Sequence, residues 1–151
     1  MPDRVVLKIP SDSQYIEMVY AVASEVCRRL NFGERERHDI MVSVSEGYTN
    51  AVVHGNQRDR ARYVTVSFEN NHSFLSISVE DEGVLPIKKD VGIETNVPDR
   101  FDETGRGLML IRRLAGFSQL AGKASGGNIL TMKFQFDSDR KEVGEVSTRR
   151  K

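Results

Sequence analysis

The chain has 151 residues, 38% hydrophobic and 29% charged, and its 22 basic residues balance 22 acidic ones. Those proportions fit one globular domain with a real core and exclude a disordered chain. Zero net charge argues against a nucleic-acid binder, no apolar run is long enough to span a membrane, and a single Cys27 cannot form an internal disulfide.

The opening segment "MPDRVVLKIP" lacks the basic-then-apolar layout of a secretory signal, so a cytoplasmic, reducing location is expected. Within it Arg4 to Ile9 reads as a short strand ended by Pro10. Ser11 and Gln14 have the spacing of a capping box opening a helix. In that helix Ile16, Val19, Tyr20, Ala23, Cys27 and Leu30 recur at helical steps, which predicts a buried Cys27. "NFG" stops it, and a second helix is predicted from about Glu34 to His54.

Two alternating segments follow, with Val64, Val66 and Phe68 in one and Leu75, Ile77 and Val79 in the other. The turn "NNHS" between them makes an antiparallel hairpin. No clean period exists from Glu82 to Thr104, and a long irregular stretch in a small domain is usually a functional loop or lid. "GRGLMLIRRLAG" reads as a helix opened by glycines, with Met109 and Leu110 facing the core. "FSQLAG" and "NILTMKFQF" are the last strands. Residues 1–136 form the expected domain, and the charged residues 137–151 an expected flexible tail. The pattern predicts an α+β two-layer sandwich: a mixed, mostly antiparallel sheet with helices on one face.

Three stretches carry candidate chemistry. In "VSVSEGYTNAVVHGN" a rotation of about 100° per residue puts Glu46, Asn50 and His54 on one stripe with Asp39 and Ser43. Ile40, Met41, Val44, Tyr48, Ala51 and Val52 gather opposite. Taken alone the stripe reads first as a solvated face. Yet Asn50 and Gly47 are poor helix-interior residues, and short oxygen-bearing side chains suit a magnesium ion that keeps its other positions for water and phosphate. In "SVEDEGV" Asp81 ends a strand two residues before Gly83, which fits either an acidic turn or a carboxylate facing a ligand amine. "TGRGL" places Gly105, Arg106 and Gly107 where a helix N-terminus can meet an anion, but it is neither a Walker loop nor a Rossmann fingerprint. His38 and His72 belong to no ligand cluster and read as surface residues.

In order, Glu-x-x-x-Asn, Asp-x-Gly and Gly-x-Gly resemble the N, G1 and G2 boxes of the Bergerat-fold (GHKL) ATPases, which include gyrase, histidine kinases and MutL. The strings "SEGYTNAVVHGN" and "GRGLMLIRRL" are similar to those of the anti-sigma-factor serine kinases, RsbW-like or SpoIIAB-like, over about Arg4 to Phe136.

The resemblance implies ATP and Mg2+ as cofactors, Glu46 as general base and Asn50 as the magnesium ligand. It implies that Asp81, beside Gly83, accepts a bond from the adenine amino group, and that Gly105, Arg106, Gly107 and Leu108 surround the phosphates. Val84 to Thr104 would be the ATP lid, and His54 would support the helix end. Leu85 and Asn128 depart from the family pattern, which has Gly and Thr there; Asn128 or Thr131 would bond near the adenine. Implied partners are a STAS-type anti-anti-sigma protein, phosphorylated on Ser or Thr, and a sigma factor, with a homodimer as assembly. A nucleotide-dependent binding module without kinase activity and a nucleotide-free interaction domain are the alternatives.

Overall fold

The strand alternation builds one sheet in the computed structural model, which describes residues 3–83, 91–92 and 103–136. Its strands are β1 (Arg4–Pro10), β2 (Tyr63–Asn70), β3 (Phe74–Glu80), β4 (Val91–Gly92), β5 (Phe117–Gly122) and β6 (Asn128–Gln135), in the order β1-β2-β3-β6-β5-β4. Each pairing among the described residues is antiparallel, a simpler sheet than the mixed one expected. Most of the expected lid, including Leu85, and the expected tail lie outside the described residues.

Register sets the buried face. Val66, Val79, Leu130 and Leu120 stand side by side across four strands, as do Phe68, Ile77 and Met132 across three, and all are buried. Each such side chain stabilises the fold by about 1.5–3 kcal/mol relative to exposure. The alternate positions make an open, polar face. There Lys133 Nζ lies 4.9 Å from the Phe74 ring centroid and 4.8 Å from that of Phe117, and Lys8 Nζ lies 4.8 Å from that of Tyr63.

Helices α1 (Ile16–Arg29), α2 (Glu34–Asn50) and α3 (Glu103–Leu114) provide the second layer, with α2 packed between the other two. In α1 Val19, Ala23 and Cys27 are fully buried, as their spacing requires. The capping differs from expectation. Ser11 still pairs like a strand residue, its N–H donating to Arg62 O at 2.9 Å, so the turn starts one residue later and Asp12 Oδ1 accepts from Gln14 N at 3.0 Å. At α2 the Glu36 carboxylate accepts from the Gly33 N–H at 3.1 Å, which holds the first turn.

Gly47 is where α2 meets the sheet. A Cβ there would lie 3.0 Å from Leu130 Cδ2 and 3.4 Å from Val79 Cγ2, so the bare backbone lets the helix sit directly on β3 and β6. Beyond Asn50 the helical pattern continues but the winding changes: Ala51–Gly55 is a π-helical turn, with Asn56 N donating to Ala51 O at 2.8 Å. Such turns concentrate at functional sites. Among the described residues no helix is long and apolar enough to cross a membrane.

Candidate functional site

The polar stripe of α2 faces the start of α3 across a cavity of about 350 Å³. It is lined by Glu46, Thr49, Asn50, Val53, His54, Arg106, Gly107 and Leu110. Two of the three candidate stretches therefore meet in one place. Thr49 and Val53 were not singled out by sequence, although each stands three residues beyond Glu46 or Asn50 and so shares their side of the helix. His54 is exposed, within the π-helical turn at the helix end. Ser43, expected on the same polar stripe, is instead fully buried.

The helix α3 starts at Glu103, two residues ahead of the expected opening, which puts Gly105 in its first turn. N–H groups of a first turn have no intrahelical acceptor and carry the positive end of the helix dipole. Arg106 is exposed and adds a full positive charge at the same rim. Gly107 is buried against Glu46: a Cβ there would lie 2.8 Å from Glu46 Oε2. Leu108 packs against the core and does not line the cavity, whereas Leu110 does; Met109, expected to face the core, is 41% exposed.

Asn50 is the polar residue in this cavity with an unmet demand. Its Oδ1 is buried and has no hydrogen-bond partner among the described residues. A native structure seldom leaves such an oxygen without a ligand, water or ion. Asn50 lines a cavity that Arg106, near the start of α3, lines as well, and this pairing fits a magnesium ion that arrives with phosphate, since magnesium takes few protein ligands.

The third stretch forms an adjoining cluster. The β3–β6 register carries past the strand ends, so Asp81 N donates to Asn128 O at 3.0 Å and Asn128 N returns a bond to Asp81 Oδ1 at 3.1 Å. Gly83 N donates to the same Oδ1 at 3.0 Å. Asp81 is 4% exposed, and its burial pushes the carboxyl above its ordinary pKa; bonds from Gly83 and Asn128 and the Lys123 charge act in the opposite direction.

Three glycines make room for this carboxylate. A Cβ at Gly55 would collide with Asp81 Oδ2, one at Gly83 with the Gly55 carbonyl, and one at Gly127 with the Asp81 carbonyl. Gly127 also has φ +83°, which a side chain disfavours. Thr131 alternates with the core-facing Leu130 and Met132, and so belongs to the open face of the sheet, away from Asp81. Of Asn128 and Thr131, only Asn128 is beside Asp81.

The histidine kinase-like ATPase domain family matches residues 9–134 of the chain. The serine-protein kinase RsbW of Bacillus mycoides is 27% identical over 98% of this chain and 96% of its own length. Its Bacillus subtilis counterpart is 30% identical over 74% of each chain. Among solved structures, that of the RsbU and RsbW domains of a Mycobacterium tuberculosis protein matches with a TM-score of 0.61 at 16% identity, over 88% of this chain and 32% of that longer one. The nucleotide-free catalytic domain of histidine kinase ThkA matches with a TM-score of 0.53 at 16% identity, covering 87% and 97%. The chain belongs to the histidine kinase-like (GHKL) ATPase family and, within it, to the RsbW-like group.

Proposed function

We propose that this protein is an ATP- and magnesium-dependent serine/threonine protein kinase that acts as an anti-sigma factor. The observation that carries the reading is the convergence of Glu46, Asn50, Arg106 and Gly107 on one cavity, with the buried Asp81 alongside. Asp81 accepts from the adenine amino group, with Asn128 and Gly83 holding its carboxylate. The N-terminal turn of α3 and Arg106 bind the phosphates. Asn50 would hold the magnesium ion, which supplies charge neutralisation at the phosphates.

Glu46 accepts the proton of an incoming protein hydroxyl. The hydroxyl oxygen bonds to the γ-phosphorus, the bond from phosphorus to the bridging oxygen breaks, and ADP leaves. The relatives named serine-protein kinase support a Ser or Thr acceptor. By family likeness the acceptor belongs to a STAS-type anti-anti-sigma protein that competes with a sigma factor for this cytoplasmic kinase, and phosphorylation sets the winner. A homodimer is part of the same reading.

The test is two-step. ATP binding is measured by calorimetry with and without magnesium, and labelled-phosphate transfer is then followed to a panel of STAS-domain proteins and their Ser→Ala versions. Magnesium-dependent binding with transfer is expected. Binding without transfer to any of them would favour the nucleotide-dependent binding module, and no binding by the folded protein would remove both.

A further inference from the structure

Asn56 follows the π-helical turn and closes the string "SEGYTNAVVHGN" without a role assigned to it, yet it is fully buried. Its side chain joins two backbones from different elements. Oδ1 accepts from Glu82 N at 2.8 Å, and Nδ2 donates to Tyr63 O at 3.0 Å. Because one partner only donates and the other only accepts, the orientation of the amide is fixed by the bonds themselves. Its own N–H closes the π-helical turn on Ala51 O. The Glu82 side chain bonds back to the Tyr63 N–H, so Glu82 is held through both backbone and carboxylate.

Glu82 lies between Asp81 and Gly83, the two residues whose geometry aims the buried carboxylate. Gly55, immediately before Asn56, is in contact range of Asp81 Oδ2. One side chain therefore ties the end of the helix that carries Asn50 to the turn that carries Asp81.

We propose that Asn56 is a positioning residue for base recognition, fixing the Asp81 turn against the Asn50 helix so that one nucleotide reaches both. This rests on the nucleotide reading above. A nucleotide spans the two groups as a rigid measure, and an ångström-scale slip of the Asp81 turn would leave the phosphates bound but the base amino group unmatched. No bond from Asn56 to the ligand is required.

The experiment compares ATP with purine riboside triphosphate, which lacks the amino group, by calorimetry in magnesium. Wild type should prefer ATP by about tenfold or more, the size expected for a hydrogen bond to a carboxylate. Asn56→Ala should bring the ratio close to one while leaving the affinity for purine riboside triphosphate within about twofold of wild type. A general loss of structure would weaken both ligands together.

An unchanged ratio in Asn56→Ala overturns the proposal. Equal binding of both ligands by wild type also overturns it and leaves nucleotide binding standing, whereas binding of neither removes the nucleotide reading itself. Should the variant not fold, exchange of the Glu82 amide proton in wild type decides instead. ATP should slow it more than purine riboside triphosphate does, and equal slowing overturns the proposal.

Discussion

Gly107 in α3 and Glu46 in α2 face each other so closely that a methyl group on Gly107 would lie 2.8 Å from Glu46 Oε2. The atom in the way is the tip of a flexible side chain, so Gly107→Ala is met by rotation of Glu46 and not by movement of the backbone. Alanine also favours a helix over glycine by about 1 kcal/mol. The melting temperature should hold or rise, while the displaced carboxylate lowers kcat for ATP turnover by about 10- to 100-fold. Thermal unfolding and steady-state kinetics on the same preparation check both halves. A variant with wild-type kcat would remove Glu46 from its assigned role.

The same substitution at Gly47 should have the opposite sign for stability. Its new Cβ would meet Leu130 and Val79 in the packed seam between helix and sheet. Overpacking costs about 1–3 kcal/mol, against a gain of up to about 1 kcal/mol in helix propensity. Gly47→Ala should therefore lose about 1–2 kcal/mol in urea unfolding. A stabilised variant would mean that α2 does not sit as close to β3 and β6 as described.

These two glycines show what could be read from sequence and what could not. Alternation in Val64, Val66 and Phe68 fixes a face, because a strand has only two, and the helical steps from Val19 to Cys27 do the same for α1. Of the residues around the cavity, Glu46, Asn50, His54, Arg106 and Gly107 follow from one helix stripe plus the glycine-flanked start of α3, whereas Thr49, Val53 and Leu110 do not. What is not legible depends on distant pairing. Asp81 meets Asn128 only because β3 pairs with β6, and no local pattern announces that neighbour. Asn56 looks like a loop residue until Glu82 and Tyr63 are brought to it. The π-helical turn is invisible because the apolar period runs through it unbroken. Ser43 has a polar side chain but is fully buried, which a stripe drawn from residue type alone misplaces.

Asp81 should make stability depend on pH in a defined direction. Burial raises its folded pKa above the unfolded value. Its favourable contribution is therefore fully present below the unfolded value of about 3.9 and is lost as pH rises through the folded one. At neutral pH the buried carboxylate is a cost that Asp81→Asn removes, with the acceptor for Gly83 and Asn128 retained. The stability of Asp81→Asn relative to wild type should increase between about pH 4 and about pH 7. ATP affinity should fall by about tenfold or more, since the amide changes the acceptor offered to the base. Denaturation of both proteins across this range tests the sign; a flat difference would mean that the carboxyl is not perturbed by folding.

Asn50 offers the sharpest separation of binding from folding. Its buried Oδ1 has no partner among the described residues, so Asn50→Ala removes an unsatisfied acceptor and puts a better helix former in α2. Stability without ligand should be unchanged or higher by up to about 1 kcal/mol, in contrast to the loss usual for a buried polar deletion. Magnesium should then make little difference to ATP affinity, whereas in wild type chelating the metal should lower that affinity by about tenfold or more. Calorimetry with and without a chelator, alongside urea unfolding of the ligand-free proteins, reads both effects. If Asn50→Ala lost several kcal/mol without ligand, the oxygen would have an unrecognised structural partner, and its assignment to the metal would fail.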